Sequence, residues 1–328
     1  MKEILVLLPV QERHRQKLEA AGAGCRFTYS LPGEVTPEAV QGADIIIGQP
    51  KADMIAASPK LEWLQLQSAG TDAYIRPGVL NEKTLLTNST GAYNKAVAEH
   101  AFALTLMLQK KLHIYRDEQA RAHWSDHGTV TSLSDATVAV VGLGDIGLHY
   151  ARLVKAMGAR VIGVKRRPSE ISEGVDELAL TGELDAVLPR ADVVMSVLPN
   201  TAATRHIFTD ARFDLMKDSA LFINCGRGNA VASDVLYRAL AEHKIQAAAV
   251  DVTDPSRCPP TARCGGWRTW SSRPTSPASS TCPRPSSASW ISRLKTWRRI
   301  WRGERCGMWW ILRRGIRNER NQELGIRN

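Results

Sequence analysis

The sequence predicts an α/β protein with two doubly wound parallel sheets, followed by a C-terminal part in which this pattern is disrupted. Apolar runs rich in β-branched residues alternate with stretches of helical spacing from residue 1 to about residue 255. A glycine-rich turn with the pattern G-x-G-x-x-G separates one such run from a helix at Gly142–Gly147. A length of 328 residues is enough for two domains, each with its own core.

The first part of the chain is predicted to form a small sheet. We expect a helix at Glu12–Ala21 and strands at Lys2–Leu8, Asp44–Ile47 and Leu61–Gln67. Small residues, Ser68–Asp72, directly follow the third of these strands. At the carboxyl end of a strand, the backbone N–H groups of such residues can hold an anion, and an ordinary turn is the equally well supported alternative.

One long helix, Ala96–Gln119, is predicted next and could join two domains. It contains His100 and His113. A histidine within a helix more often packs or caps than catalyses, so the sequence assigns these two no chemistry.

The glycine-rich turn follows a predicted strand, Thr137–Val141, and precedes a helix that ends before Gly158. Such a turn allows a tight bend, close approach of a pyrophosphate and contact between helix and strand. The first N–H groups of the helix then face the phosphates. The pattern alone is weak, but in this context it predicts the first half of a dinucleotide-binding unit.

Three consecutive cations, Lys165, Arg166 and Arg167, end the next predicted strand, Arg160–Val164. An acidic residue about 20 positions beyond the glycines usually binds the ribose 2′-hydroxyl of NAD. Cations at that place attract a 2′-phosphate instead, so the sequence favours NADP(H), with NAD(H) as the alternative. A solvated basic strand end is the structural alternative.

Further strands are predicted at Val193–Val197, Ala220–Asn224 and Ile245–Val250, and the last ends at Asp251. Arg227 stands between two glycines after the second of these strands. A guanidinium in that position can present two N–H donors to a carboxylate, or it can cap the loop or face solvent.

The net charge of +10 is concentrated at the end of the chain. Residues 256–328 contain 16 of the 43 Lys and Arg and only 3 of the 33 Asp and Glu, so the preceding part is mildly acidic. The two cysteines before residue 256 do not suggest a disulfide framework and favour a reducing, cytoplasmic compartment. We predict no signal peptide, membrane span or metal site.

Residues 1–255 resemble the D-2-hydroxyacid dehydrogenases, which include glyoxylate/hydroxypyruvate reductases and phosphoglycerate dehydrogenase. The resemblance is carried by motifs in family order: Ser68–Asp72, Ala98–Ala101, Gly142–Gly147, Leu198-Pro199 with Thr204, Asn224–Gly228 and Asp251-Val252. It implies two Rossmann/flavodoxin-like domains. It also implies a homodimer, since members of this family are typically dimers. The substrate-binding domain would be residues 1–97 and the dinucleotide-binding domain residues 98–255.

The resemblance also implies roles for individual residues. Arg227 would hold the substrate carboxylate, with the N–H groups of Ala69 and Gly70 on its other side. The cofactor would contact Gly142, Gly144, Asp145, Ile146, Gly147, Pro199, Thr204, Cys225 and Asp251. In this family a histidine protonates the carbonyl oxygen, and a glutamate bonded to that histidine raises its pKa.

Neither the glutamate nor the histidine is present at its expected place. The family pattern puts the glutamate at position 256, which is Ser256, and no histidine occurs after His243. We therefore expect little or no activity from the chain as written.

Residues 256–328 are predicted to be poorly ordered, because Ser, Pro, Arg, Trp and Cys dominate them without any strand or helix pattern. A shifted reading frame explains this composition. Read from the third base of each codon, Met308–Ile311 must encode Val-Val-Asp, and chains of this family commonly end near such a run. The rival interpretation is a genuine basic tail that binds nucleic acid through Arg and Trp. We disfavour it, because only composition supports it.

The sequence thus predicts an NAD(P)-dependent oxidoreductase of small 2-oxo or 2-hydroxy acids, of the glyoxylate/hydroxypyruvate type, whose activity in this chain is impaired by the loss of the catalytic glutamate and histidine. Phosphoglycerate dehydrogenase activity is one alternative. A non-catalytic nucleotide-binding protein or the product of a pseudogene is another. We expect no nucleic-acid or membrane partner, and a homodimer in the intact family member.

Overall fold

The computed structural model describes residues 1–56 and 58–254. These residues divide between Ala92 and Tyr93 into two compact units. The predictions for residues 256–328, including Ser256, lie outside the described residues.

The first unit contains a five-stranded parallel sheet. In chain order its strands are β1 (Glu3–Leu7), β2 (Arg26–Tyr29), β3 (Ile45–Gly48), β4 (Trp63–Gln65) and β5 (Leu85–Thr87). Their spatial order is β2-β1-β3-β4-β5, and every pairing is parallel. The helices of this unit are α1 (Glu12–Ala21), α2 (Pro37–Gln41) and α3 (Ala52–Ile55).

Both faces of this sheet are buried, as the apolar runs of its sequence predict. Leu5 and Leu7 of β1 belong to one hydrophobic cluster, whereas Ile4 and Val6 belong to another. Successive side chains of a strand point to opposite faces, so two apolar faces require a nearly continuous apolar run.

The second unit contains a six-stranded parallel sheet. Its strands are β6 (Thr137–Val141), β7 (Arg160–Lys165), β8 (Glu177–Leu180), β9 (Val193–Ser196), β10 (Leu221–Asn224) and β11 (Ala247–Val250). Its helices are α4 (Asn94–Gln109), α5 (Leu112–Ala120), α6 (Asp145–Ala156), α7 (Leu184–Val187), α8 (Asp210–Asp214) and α9 (Ser233–Ala241).

The strand order of the second sheet, β11-β10-β9-β6-β7-β8, reverses at β6. From β6 the chain proceeds outward through β7 to β8, returns to the other side of β6 at β9, and continues to β11. Val141, the last residue of β6, is paired with Val164 of β7 and Ser196 of β9. Open α/β sheets bind ligands beyond the carboxyl ends of the strands at such a reversal. The predicted fold class, two doubly wound parallel sheets, is confirmed.

Helix α4 belongs to the core of the second unit. Its buried residues Ala98, Ala101, Leu104 and Leu108 share a hydrophobic cluster with residues of β6, β10 and β11. The hydroxyl groups of Thr105 and Tyr150 also lie 2.8 Å apart within the core.

The prediction of one helix over Ala96–Gln119 was wrong, because the helix is interrupted between α4 and α5. Lys111 has a left-handed backbone, with a φ of 55°, which cannot continue a right-handed helix. The sequence analysis also missed β2, β5 and β8. In β2 no residue is buried, so its sequence lacks the continuous apolar run of a central strand.

Among the described residues, no helix has both the length and the apolar character needed to cross a membrane.

Candidate functional site

The glycine-rich turn lies directly beyond β6, where the strand order reverses. Gly142 has a φ of 105°, which favours glycine, and its N–H donates to the carbonyl of Val164 over 2.9 Å. A Cβ atom at Gly147 would lie 2.3 Å from the carbonyl oxygen of Gly142, so only glycine lets α6 approach the turn this closely. At Gly144 a Cβ atom would meet no other atom within 4 Å, so open space borders the backbone there.

Helix α6 begins at this open space, with Gly144 as its N-cap residue. The first N–H groups of a helix lack partners within the helix and favour an anion. Asp145 in the first turn accepts a 2.8 Å hydrogen bond from the side-chain amide of Asn94, which fixes the start of α4 against the turn. Ile146 is half-buried and packs on the hydrophobic core behind the turn.

The three consecutive cations lie at the end of β7, next to the turn. Lys165 follows Val164, the residue that accepts the hydrogen bond from Gly142. The ammonium group of Lys165 donates to the hydroxyl of Ser169 over 2.8 Å. Arg166 and Arg167 are exposed, and neither has an acidic partner among the described residues. This arrangement places positive charge directly after Val164, the strand residue to which the turn is bonded.

The loop after β9 is held by its own hydrogen bonds. The hydroxyl of Thr204 donates to the carbonyl of Pro199 over 2.6 Å and accepts from the N–H of Thr201 over 2.9 Å. At the end of β9, the hydroxyl of Ser196 is buried and has no hydrogen-bond partner within residues 1–56 and 58–254. Pro199 and Thr204 thus lie in the loop after β9, the strand that pairs with β6 on the side away from β7.

The buried amide of Asn224 shapes the loop after β10. Its nitrogen donates to the carbonyl of Arg227 over 3.0 Å, and its oxygen accepts from the N–H of Gly226 over 3.2 Å. A Cβ atom at Gly226 would lie 2.6 Å from the backbone nitrogen of Leu198, so this loop passes close to the one after β9. One guanidinium nitrogen of Arg227 donates to the carbonyl of Gly226 over 3.0 Å.

Cys225 is buried at the same edge of the sheet. Burial, and then the nearby Asp251 carboxylate, raise the pKa of the Cys225 thiol to about 12. The thiol is therefore neutral at physiological pH and is unsuited to act as a nucleophile. Cys225 directly follows β10, and its N–H donates to the carbonyl of Ser196 at the end of β9 over 3.0 Å.

Asp251 follows β11, and the imidazole of His100 lies beside it. The Nε2 atom of His100 is 3.7 Å from the Oδ1 atom of Asp251. The N–H of Asp251 donates to the carbonyl of Asn224 over 2.9 Å, which ties this residue to the end of β10. Sequence reasoning gave His100 no role, because the packing of α4 on β11 joins residues that are far apart in the chain.

In the first unit, the predicted Ser68–Asp72 segment follows β4 and is tied down by side chains. The hydroxyl of Ser68 donates to the carbonyl of Gly70 over 2.9 Å, and the amide of Asn88 donates to the carbonyl of Ala69 over 2.7 Å. The N–H groups of Ala69 and Gly70 have no partner among the described residues. Within the described part of the chain, the segment thus presents two unpaired N–H donors beyond the carboxyl end of β4.

Within the described part of the chain, no three His, Cys, Asp or Glu side chains come together as a group that could hold a metal ion. The described polar groups at this edge of the second sheet include backbone N–H groups, hydroxyls and the cations of Lys165, Arg166, Arg167 and Arg227, beside the carboxylates of Asp145 and Asp251. Such a set suits an anionic organic ligand better than a metal.

Two comparisons of sequence place the chain among known proteins. Residues 102–271 match the family model of the D-isomer specific 2-hydroxyacid dehydrogenase, NAD binding domain. An uncharacterized protein in the proB 3′ region of Corynebacterium melassecola is 33% identical over 69% of this chain and 75% of its own length. Human glyoxylate reductase/hydroxypyruvate reductase is 31% identical over 62% of this chain, and the matched part spans 63% of the human protein.

Solved structures share the fold. A D-isomer specific 2-hydroxyacid dehydrogenase family protein from Aeromonas salmonicida has a TM-score of 0.81 and 28% identity, covering 93% of this chain and 97% of that one. An NADPH-dependent glyoxylate/hydroxypyruvate reductase from Sinorhizobium meliloti, in complex with NADP and sulfate, has a TM-score of 0.77 and 21% identity. The match covers 94% of this chain and 98% of the Sinorhizobium chain.

Proposed function

Because the chain belongs to the D-isomer specific 2-hydroxyacid dehydrogenase family, we propose that its second unit binds a nicotinamide dinucleotide for the reduction of small 2-oxo acids. The glycine-rich turn at the reversal of the strand order is the observation that carries this proposal. Glyoxylate and hydroxypyruvate are the substrates we put first, since the human relative is named for both. Bound nicotinamide would supply the hydride.

The residues of the turn fit a pyrophosphate. Open space beside Gly144, with the first N–H groups of α6 facing it, leaves room for an anion where a side chain would otherwise stand. We assign pyrophosphate binding to Gly142, Gly144, Asp145, Ile146 and Gly147. The remaining wall of the cofactor site is assigned to residues at the ends of the neighbouring strands, namely Pro199, Thr204, Cys225 and Asp251.

NADP(H) is the preferred cofactor in this proposal. Lys165, Arg166 and Arg167 follow the strand next to the turn, and a 2′-phosphate carries the negative charge that would pair with them. The Sinorhizobium structure with NADP has the same fold. NAD(H) remains the alternative cofactor.

The substrate carboxylate is assigned to Arg227, whose guanidinium lies on the loop after β10. Its backbone is fixed by Asn224, which limits the conformations that the guanidinium can adopt. For the N–H groups of Ala69 and Gly70, we propose, on the family resemblance, a role in binding a substrate carboxylate. We propose residues 1–97 as the substrate-binding domain and residues 98–255 as the dinucleotide-binding domain, whereas the two compact units divide slightly earlier, between Ala92 and Tyr93.

The chain as written is impaired in catalysis. It has Ser256 where the family places a glutamate, and it has no histidine after His243. A missing general acid commonly costs about 10²–10⁴-fold in rate. A frameshift near the codons of Pro255 and Ser256 accounts for both losses and for the basic, Trp-rich composition that follows.

A second candidate function is non-catalytic binding of the nucleotide, with the chain as a sensor or the product of a pseudogene. The observation that favours it is an intact glycine-rich turn in a chain that lacks the two catalytic residues. The sensor differs from the first candidate because restoring the reading frame would then give no dehydrogenase activity, whereas the product of a pseudogene would regain it.

In its intact form the protein is proposed to be a cytoplasmic homodimer. Leu112, Tyr115 and Trp124, on α5 and the segment after it, are large apolar side chains that are exposed within the described residues. A second copy of the chain would cover them. Cys25 and Cys225 are free thiols, in keeping with a reducing compartment.

The decisive experiment begins with resequencing of the DNA across the codons of Asp251 to Ala278. The repaired and the present chain are then compared for NADPH oxidation with glyoxylate and with hydroxypyruvate. We expect activity only from the repaired chain. Activity in neither chain, together with nucleotide binding in both, would favour the sensor.

A further inference from the structure

Ser169 lies in the exposed connection between β7 and β8, just after the three consecutive cations, and the proposed function gives it no role. Residues 166–171 are all exposed, and none of them belongs to a helix or a strand. The hydroxyl of Ser169 accepts a 2.8 Å hydrogen bond from the ammonium group of Lys165 and donates to the carbonyl of Glu170 over 2.9 Å. An enzyme can therefore reach this hydroxyl without unfolding a helix or a strand.

The residues before Ser169 have the charge pattern of a substrate for a basophilic serine kinase. Arg166 and Arg167 stand three and two residues before the serine. Kinases distinguish their substrates in part by such patterns of charge around the acceptor hydroxyl. No other serine or threonine of the 328-residue sequence has arginine at both of these positions. One short segment thus combines the charge pattern with an accessible acceptor.

A phosphate on Ser169 would lie beside the cations. The Oγ atom that would carry it is already within hydrogen-bond distance of the Lys165 ammonium group. A phosphoserine has a charge of about −1.5 to −2 at pH 7 and three strong acceptor oxygens, which form charge-assisted hydrogen bonds with Lys and Arg. Residues 165–170 contain three cations and one carboxylate, that of Glu170. The phosphate would therefore cancel most of the positive charge of this segment.

We propose that Ser169 is a phosphorylation site, and that its phosphate occupies the cations assigned to the 2′-phosphate of NADP(H). This inference rests on the proposed cofactor site and adds a means of regulating it. In the modified chain, the phosphoserine competes with the 2′-phosphate for the same cations, so NADPH loses affinity. NADH has a hydroxyl at that place and does not need the cations. Phosphorylation would thus shift the preference of the site from NADP(H) toward NAD(H).

The modification is a phosphoryl transfer from ATP. The Oγ atom of Ser169 forms a bond with the γ-phosphorus, and the bond between that phosphorus and the β,γ-bridging oxygen breaks. ADP leaves with the electron pair of the broken bond. The hydroxyl proton passes to a base of the kinase and from there to solvent.

The first test asks whether Ser169 is an acceptor. The full chain is incubated with Mg²⁺, ATP and the catalytic subunit of cAMP-dependent protein kinase, and the modified residues are mapped by mass spectrometry. We expect phosphate on Ser169 and its loss from that segment in Ser169→Ala. A chain that stays unmodified at Ser169, while a peptide of residues 163–172 is phosphorylated in the same reaction, would show that the folded segment does not admit a kinase.

The second test measures the effect on the cofactor. Phosphoserine is introduced in place of Ser169 during translation, and the dissociation constants of NADPH and NADH are measured for the full chain. We expect the NADPH constant to rise by about tenfold or more and the NADH constant to change by less than about twofold. Phosphoserine in place of Ser219 is the control, since Ser219 is exposed before β10 at the opposite edge of the sheet. It should change neither constant.

The third test detects contact between the phosphate and the cations without any nucleotide. The second pKa of a phosphoserine is ordinarily about 6, and neighbouring cations lower it because they favour the dianion. Titration followed by ³¹P NMR should give a pKa that is lower by about 0.5 or more at position 169 than at position 219. An equal pKa at both positions would show that the phosphate does not contact the cations.

The outcomes separate this inference from the proposed function. If phosphoserine at position 169 leaves the NADPH constant unchanged, or raises the NADPH and NADH constants equally, the phosphate does not compete with the 2′-phosphate and the inference is wrong. If the unmodified chain binds neither nucleotide, the proposed cofactor site is wrong. The kinase reaction and the ³¹P titration then still decide whether Ser169 accepts a phosphate that contacts the cations.

Discussion

The N–H of Gly142 donates to the carbonyl of Val164 over 2.9 Å, so the first glycine of the turn is anchored to the strand that ends in the basic residues. This bond links the two features that the proposed function assigns to the dinucleotide, the turn for the pyrophosphate and the basic strand end for the ribose. The strand order reverses at β6, so space for a ligand exists beyond this edge.

Removal of two of the cations is predicted to weaken NADPH selectively. The double variant Arg166→Ala with Arg167→Ala should raise the dissociation constant of NADPH by about tenfold or more and that of NADH by less than about twofold. Fluorescence titration of the purified chain measures both. Arg13→Ala with Arg121→Ala removes two exposed arginines elsewhere and should change neither constant. An equal rise in both dissociation constants would mean that the two arginines bind a part that NADPH and NADH share, and not the 2′-phosphate.

The two glycines of the turn are predicted to fail in different ways. Gly147→Ala places a Cβ atom 2.3 Å from the carbonyl oxygen of Gly142 and should lower the free energy of unfolding by about 1–3 kcal/mol. Gly144→Ala meets no neighbouring atom, and because alanine is a poorer N-cap residue than glycine but less flexible in the unfolded chain, stability should change by less than about 1 kcal/mol. Its methyl group would occupy the space assigned to the pyrophosphate and reduce NADPH binding.

Urea unfolding followed by NADPH titration of both variants separates the two effects. Full NADPH affinity in Gly144→Ala would show that the pyrophosphate does not approach the turn there.

Glu177 is predicted to contribute to stability only above acidic pH. Hydrogen bonds from Arg190 and Arg160 lower the pKa of the Glu177 carboxyl from 4.5 to about 2. A lowered pKa in the folded state stabilises the fold above the unfolded pKa, and this contribution is lost as pH falls toward the folded pKa. Since the group is on the surface, we expect less than about 1 kcal/mol.

The measurement for Glu177 is urea unfolding at pH 5 and pH 3. The unaltered chain should lose more stability between these values than Glu177→Gln, whereas Glu34→Gln, at an exposed position, should behave like the unaltered chain. If Glu177→Gln lost as much stability between pH 5 and pH 3 as the unaltered chain, the ion pairs of Glu177 would contribute nothing to the free energy of unfolding.

The sequence predicted the features that depend on local constraints. The turn at Gly142–Gly147 was visible because a positive φ and close helix packing require glycine, and the basic residues were visible from their distance to that turn. Both predicted sheets were visible because strands buried on two faces need continuous apolar runs. These signals sufficed for the fold class and the family.

Features that depend on distant contacts could not be predicted in this way. The break at Lys111 lies within a stretch of good helix formers, and nothing local marks its left-handed backbone. The proximity of His100 to Asp251 arises only when α4 packs on β11. The edge strand β2 lacks an apolar run because its residues are not buried. The roles of Arg227, Ala69 and Gly70 remain predictions.

Titration of NADPH and NADH into the purified, unaltered chain tests the central claim most directly, because cofactor binding does not require the missing glutamate and histidine. Isothermal titration calorimetry should show one NADPH site per chain and affinity for NADH that is lower by about tenfold or more. A folded chain that binds neither nucleotide would contradict the assignment of the glycine-rich turn as a dinucleotide site.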